Sequence, residues 1–485
     1  MTEGVGKGRG DPNGRTRRIR VERGASHTPA RLGDTEELLA HALGRATTEH
    51  ASTRRDYERT RHRTLTRRGV MWLGQTCNLR CHFCYFLDRI EDAKHVEHPF
   101  MTLEKAIAIC DTLRDFYGNT AIDIQGGEPT LWPHILDLVR HCRSIGLMPT
   151  LITNGILLAD RGKCEEFRDA GIRDFLVSVH GLGALHDTVV GLEGAFDKQM
   201  LGLRNLQEVG IPFRFNCVMS KAATPYLPAI ARLAVETGSN AVNFLTFNPF
   251  EDQLDAGVRT SENVPRYDEV RGPLSDALDV LEAGGVEGNV RYFPLCMVDE
   301  RHRKSMYNFK QLSYDHHEWD YASWNWTHEQ PQRSRPGETT KPYSLQPRMR
   351  TAPTLQGVVG AIVRFAEKRP ALLRTMRRGH ELVSRAVAPP PSREALYWNN
   401  GELRATEHCG YRYSATCEGC DLRRICDGFH GDYAEMFGTD EATSVTDAGD
   451  VSHPTHYIAR QVKVVELEDE EWALEEPGGE ASATE

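Results

Sequence analysis

Cys77-Asn78-Leu79-Arg80-Cys81-His82-Phe83-Cys84-Tyr85 places three cysteines on one short loop, spaced C-x-x-x-C-x-x-C. Three thiolates within one turn suit an iron–sulfur cluster, because each iron of a cubane takes one thiolate. One iron is then left without a protein ligand and can bind something else, as a catalytic zinc keeps one position open. Just before the loop runs an apolar segment, Val70-Met71-Trp72-Leu73, which reads as a buried strand. A ligand loop at the C-terminal end of a strand is where open-topped α/β barrels carry their chemistry. The competing reading is a structural zinc site, since C-x-x-C is a common zinc half-site. It needs a fourth ligand, for which His82 is too close in sequence to be comfortable.

Farther along, Gly126-Gly127-Glu128-Pro129 follows the alternating stretch Ala121-Ile122-Asp123-Ile124-Gln125. Two motifs in this order, about one βα unit apart and with Phe83 as the aromatic before the third cysteine, resemble the radical S-adenosylmethionine family. The resemblance implies a [4Fe-4S] cluster on Cys77, Cys81 and Cys84 whose fourth iron chelates the amine and carboxylate of S-adenosylmethionine. It implies that Gly126 to Pro129 hold the methionine amine, with Phe83 and Tyr85 also facing the cofactor. The chemistry implied is reductive cleavage to methionine and a 5′-deoxyadenosyl radical, which abstracts hydrogen from a substrate. Electrons would come from a flavodoxin- or ferredoxin-type reductant.

From Val70 the pattern is regular. Strand-like runs at 70–74, 121–125, 148–152, 174–179, 213–219 and 242–246 alternate with helix-like runs at 103–117, 133–145, 161–170, 197–209 and 226–237. In the first helix Thr102 can cap, and Leu103, Ala106, Ile107, Cys110 and Leu113 recur at helical spacing. Strand and helix alternating over short connections predict a parallel sheet. Six such units fit the partial (βα)6 TIM-type barrel of the family resembled, spanning 69–296. At its C-terminal strand ends stand Thr153-Asn154-Gly155, Ser178, His180, Asn216 and Asn248-Pro249-Phe250. Asn154, Ser178, Asn216 and Phe250 are similar in position to residues near the cofactor in that family. His180 is either a hydrogen-bonded barrel histidine or a substrate contact able to exchange a proton near neutral pH.

The flanks read differently. Residues 1–68 form a basic, largely disordered extension, with a helical segment plausible from Asp34 to about Arg63; residues 441–485 form an acidic, largely disordered tail. A further helix–strand pair, 265–283 and 289–294, leads to Cys296. Residues 297–390 follow as an aromatic-rich loop and helical insertion containing His316-His317 and Trp324-Asn325-Trp326. The net charge of −10 over 485 residues argues against nucleic acid as a partner. With no apolar run of membrane-spanning length and no secretory signal, the expected place is the cytoplasm, without membrane association. In that compartment the 12 cysteines read as metal ligands plus buried thiols, and Cys110, Cys142, Cys164 and Cys217 are expected in the core.

Cys417, Cys420 and Cys426 make a second group, C-x-x-C-x-x-x-x-x-C, within a domain expected at 391–440. With the continuation Asp427-Gly428-Phe429-His430-Gly431-Asp432-Tyr433, it resembles the SPASM and twitch auxiliary-cluster domains of radical S-adenosylmethionine enzymes. A full SPASM domain has a cysteine where this chain has His430, and too few cysteines remain for two clusters. The resemblance therefore implies one auxiliary [4Fe-4S] cluster, with Cys296 favoured as fourth ligand and Cys409 as the alternative. The competing reading is a zinc knuckle completed by His430 or Cys409.

Members that resemble this chain oxidise, epimerise or rearrange small molecules such as sugars and natural-product precursors, or mature ribosomally made peptides. Peptide-modifying relatives often carry leader-binding strands before the barrel. Residues 1–68 show no such pattern, so the sequence favours a small molecule in a tailoring pathway. A zinc-stabilised binding protein without radical chemistry is the reading outside enzymology.

Overall fold

A computed structural model describes residues 34–47, 59–60, 68–84, 99–115, 119–247, 259–314, 405, 410–449 and 451–464, with scattered positions from 365 to 379. Tyr85, Asn248 to Phe250, Cys409 and the His316 to Trp326 region lie outside these residues.

The core is one parallel sheet built from β2 (Arg68–Trp72), β3 (Ala121–Gln125), β4 (Met148–Thr153), β5 (Asp174–Ser178), β6 (Phe213–Met219), β7 (Ala241–Thr246) and β8 (Glu287–Arg291). The strands pair in sequential order, each parallel to the next, which is the topology of an opened α/β barrel. The fold class expected from the sequence is therefore right, with one correction. Among the described residues the sheet has seven strands rather than six, because the run near 289–294 contributes to β8, which pairs with β7.

The pleat explains which residues face inward. Along β6, Phe213, Phe215, Cys217 and Met219 are buried while Arg214, Asn216 and Val218 are half-buried. Alternation with period two sends the first set under the helices and the second toward the barrel interior. The helix Leu103–Asp115 shows the complementary pattern. Thr102 Oγ1 accepts from Lys105 N–H at 3.3 Å, and Ala106, Ile109, Cys110 and Leu113 are buried. Cys110, Cys142, Cys164 and Cys217 are all fully buried, as expected.

At the N-terminal strand ends the interior is closed by charge. Arg68 pairs with Asp123 at 2.7 Å and Arg214 with Asp174 at 2.7 Å, while Asp123, Thr150 and Asp174 lie in one register row. Burial alone would raise the Asp174 carboxyl. Arg214, Arg173 and Arg68, with the Thr150 hydroxyl donating to it, override that and hold it at about 2, below the ordinary 3.8. A carboxylate depressed on folding stabilises fully above its unfolded pKa, and that stability is lost as pH falls from 3.8 toward 2. The amount is on the order of 2 kcal/mol. Arg214→Met is expected to destabilise by about 3–5 kcal/mol at neutral pH by leaving Asp174 buried without its main partner. In urea unfolding, the gap between parent and variant should shrink on acidification through that window.

The described residues of both flanks pack against the barrel. The helix Thr35–Ala46 is capped by Asp34 and packs on the helices Ala195–Val209 and Leu227–Glu236, with Arg232 gripping Glu36 through two hydrogen bonds. It stops at Ala46 instead of continuing toward Arg63. Arg59–Thr60 (β1) pairs antiparallel with Lys463–Val464 (β9), so a strand does stand before the barrel. Of the tail expected at 441–485, residues 465–485 lie outside the described residues, and the described part packs on the barrel. Val445, Val451, Tyr457, Ile458 and Ala459 are buried, and Gln461 donates to the Gly288 carbonyl at 2.7 Å on the outer edge strand β8. An edge strand offers unpaired backbone groups, and this segment takes one of them.

Candidate functional site

The cysteine loop leaves the C-terminal end of β2, and the Gly-Gly-Glu motif leaves β3 beside it. Leu73 N–H donates to the Gln125 carbonyl, Gly127 N–H to Gly74, and Glu128 N–H to Thr76, each at 2.8 Å. The two motifs are thus zipped together. A Cβ on Gly127 would lie 2.1 Å from the Thr76 oxygen, so only glycine permits this approach.

The loop rests on the helix Ala184–Val190. Arg80 N–H donates to the Val190 carbonyl at 3.0 Å and His82 N–H to Val189 at 3.2 Å, while Leu79 packs with Leu185 and Val189. Arg80 closes the loop on itself by donating to the carbonyls of Cys77 and Leu79. Burial pushes the Cys77 thiol up to about 12, with the Glu128 charge adding to it. Burial, then Cys84 and Cys77, push Cys81 well above the usual thiol range. The three sulfurs are therefore close enough to act on one another. Among the described residues no three His, Cys, Asp or Glu side chains close around a single ion. Thiolates on a cubane need no such closure, because each caps a different iron.

Glu128 is 1% exposed and is held by four donors. Its Oε1 accepts from Thr130 N–H at 3.1 Å, Thr130 Oγ1 at 2.6 Å and Thr153 Oγ1 at 2.7 Å, and its Oε2 accepts from Asn154 N–H at 2.8 Å. Burial still raises its pKa above the ordinary value despite these bonds. Three donors saturate Oε1, whereas Oε2 has room for another. Two residues before Cys77, the buried Gln75 Oε1 has no hydrogen-bond partner among the described residues. A buried anion with one open oxygen, an unpaired amide oxygen and a thiol trio together fit a cluster carrying a cationic amine.

Asn154 joins the parts. Its Nδ2 donates to Asn78 Oδ1 in the cysteine loop at 2.8 Å, and its carbonyl accepts from Gln199 Nε2, which also donates to the Ser178 carbonyl. Ser178 and Asn216 stand side by side in register on β5 and β6, and Pro129 opens a single-turn helix, Pro129–Leu131, whose first two residues are buried. The sequence places Thr153 at a strand end without giving it a role, and it assigns nothing to Thr130, Asn78 or Gln199. Thr130, adjoining the motif, is the one with a readable signal.

His180 is buried against Phe83, ring centres 4.5 Å apart. Its Nδ1 accepts from Val218 N–H at 3.1 Å, and burial, then His186 and His82, push its pKa well below 6.5. Its Nδ1 bond to the backbone of β6 holds the ring in place between the strand ends and Phe83.

The second cysteine group converges on the barrel. Cys296 lies in the turn Leu295–Met297 after β8, and burial first, then Cys417 and Cys420, raise its thiol. Burial, then Cys296, push Cys426 up to about 12, and Gly428 N–H donates to Cys426 Sγ at 3.4 Å. Four thiols from two distant stretches of chain thus share one neighbourhood. His430 is engaged elsewhere: its Nδ1 accepts from Asp432 N–H at the start of the helix Gly431–Phe437, and its ring meets Tyr411.

Residues 73–223 match the model of the radical SAM superfamily. The chain is 30% identical over 205 residues to the AdoMet-dependent heme synthase of Oleidesulfovibrio alaskensis, which covers 41% of this chain and 50% of that one. It is 27% identical over 207 residues to the PqqA peptide cyclase of Methylorubrum populi, covering 39% and 52%. The chain therefore spans about half the length of the curated relatives it matches. SuiB of Streptococcus suis bound to S-adenosylmethionine superposes on 47% of this chain and 50% of its own, at 18% identity and a TM-score of 0.39. No helix among the described residues is long and apolar enough to cross a membrane.

Proposed function

From the premise that residues 73–223 are a radical SAM domain, we infer that this chain cleaves S-adenosylmethionine reductively and abstracts hydrogen from a peptide substrate. The observation that carries the reading is the junction of the two motifs, where Gly127 and Glu128 bond to Gly74 and Thr76 and bring a carboxylate with an open oxygen near enough to the cysteine loop for its charge to act on Cys77. Cys77, Cys81 and Cys84 would hold the [4Fe-4S] cluster and Glu128 the methionine amine. When bound, the cluster supplies the electron that cleaves the sulfonium. The chain's own part is positional: Asn154 links the carboxylate to the loop through Asn78, and the helix Ala184–Val190 fixes the loop's base. Ser178 and Asn216 offer polar groups to the rest of the cofactor from one register row.

A peptide is preferred over a small molecule because PqqA peptide cyclase is among the relatives. The two-residue strand β1, taken up by β9, does not decide between them. A small molecule is the second reading, favoured by the match to AdoMet-dependent heme synthase. Incubation with a peptide library and with porphyrin substrates, scored by 5′-deoxyadenosine formed per substrate consumed, separates the two.

Cys296, Cys417, Cys420 and Cys426 would hold one auxiliary cluster, supported by their mutual electrostatic influence. Iron, sulfide and zinc are to be measured in protein reconstituted without oxygen, beside Cys296→Ala and the triple variant lacking Cys77, Cys81 and Cys84. About eight irons in the parent and about four in each variant are expected. Four irons plus one zinc would reduce the second group to a structural knuckle.

A further inference from the structure

Arg259 is 5% exposed and sits against the cysteine loop. Its Nη2 donates to the carbonyl of Phe83, the residue before Cys84, at 3.1 Å. Its guanidinium carbon lies 4.0 Å above the ring of Phe247, which stands edge-on to Phe83 with centres 6.3 Å apart. Its charge also acts on His430, whose imidazole is pushed down to about 3 by burial and then by Arg259. A guanidinium stays charged at every accessible pH, and a ring face holds it in place. In surroundings this dry a fixed cation acts on its neighbours more strongly than it would in water.

We propose that Arg259 is a positioning residue for the radical cluster: its hydrogen bond fixes the Cys81–Cys84 segment, and its buried charge favours the reduced state. The inference rests on the cluster assignment to Cys77, Cys81 and Cys84 made above. One-electron reduction adds negative charge to the iron, sulfide and thiolate assembly. A cation bonded to the backbone beside Cys84 therefore stabilises the reduced form more than the oxidised one. The two contributions separate by substitution. Arg259→Gln keeps a donor for the Phe83 carbonyl without the charge, and Arg259→Lys keeps the charge without the planar fork.

The experiment uses the full chain reconstituted without oxygen. The radical cluster is identified as the one whose electron paramagnetic resonance changes when S-adenosylmethionine is added, and its midpoint potential is titrated in the parent and both variants. At full iron content, Arg259→Gln should need a more reducing potential than the parent, while Arg259→Lys stays near the parent. Equal potentials in parent and Arg259→Gln overturn the proposal, as does an Arg259→Lys potential that falls as far as that of Arg259→Gln. Should Arg259→Gln fail to take up iron, retention of the parent's iron and potential by Arg259→Lys supports the charge requirement, and equal loss of iron by Arg259→Lys overturns it. A parent without iron, or without a signal that responds to S-adenosylmethionine, sinks the cluster assignment itself, so the two failures are distinct.

Discussion

Cys81→Ala is expected to abolish formation of 5′-deoxyadenosine, a fall of more than about a hundredfold, since even loss of a ligand's supporting partner costs 10- to 100-fold. Cys81 is the central member of the trio, and its carbonyl accepts from Cys84 N–H at 3.0 Å, so it also shapes the turn that presents Cys84. Its thiol feels both Cys77 and Cys84. Removing it leaves two ligands on a loop too short to recruit another. The variant should lose about four irons while the second group keeps its own. Cys420→Ala should do the reverse, losing auxiliary iron but retaining some cofactor cleavage. Undiminished cleavage in Cys81→Ala would remove the central assignment.

Glu128→Gln is expected to weaken S-adenosylmethionine binding by about tenfold to a hundredfold, the worth of one charge-assisted hydrogen bond of roughly 1.5–3 kcal/mol. The amide also brings a second cost. Four donors surround the carboxylate, so the new NH2 group must face one of them wherever it points. A stability loss of about 1–3 kcal/mol follows. The sign of the pH dependence is set by burial. A carboxyl raised on folding stabilises fully below its unfolded value of 4.5 and loses that contribution as pH rises through its folded value. Glu128 is therefore a cost to the cofactor-free protein at neutral pH, and a cationic amine on Oε2 offsets it. The cofactor should raise the Tm of the parent more than that of Glu128→Gln, and isothermal titration calorimetry gives the affinities directly. Equal affinities would place the amine elsewhere.

Local sequence was enough to find the scaffold. The runs at 121–125 and 213–219 match β3 and β6 to the residue, and the helix 161–170 matches Arg161–Ala170, because buried parallel strands and one-sided helices write their period into the chain. The helix Ala184–Val190 escaped notice. It is seven residues long between Gly183 and Gly191, too short for a periodic signal, yet it forms the base of the cysteine loop. β1 and β9 were missed for a related reason: each is two residues long and exists only through a partner some 400 positions away.

The sequence by itself determined the thiol spacing, the glycine pair before Glu128 and the order of strands and helices, since each depends on residues within a few positions of one another. Only the tertiary structure decided that Thr130, Thr153 and Asn154 share the Glu128 carboxylate and leave one oxygen open. It alone brought Cys296 to Cys417, Cys420 and Cys426, turned His430 toward Tyr411, and set Arg259 over Phe247 against the cysteine loop. Those contacts join segments far apart in the chain, and their energies come from burial and packing, which no local pattern records.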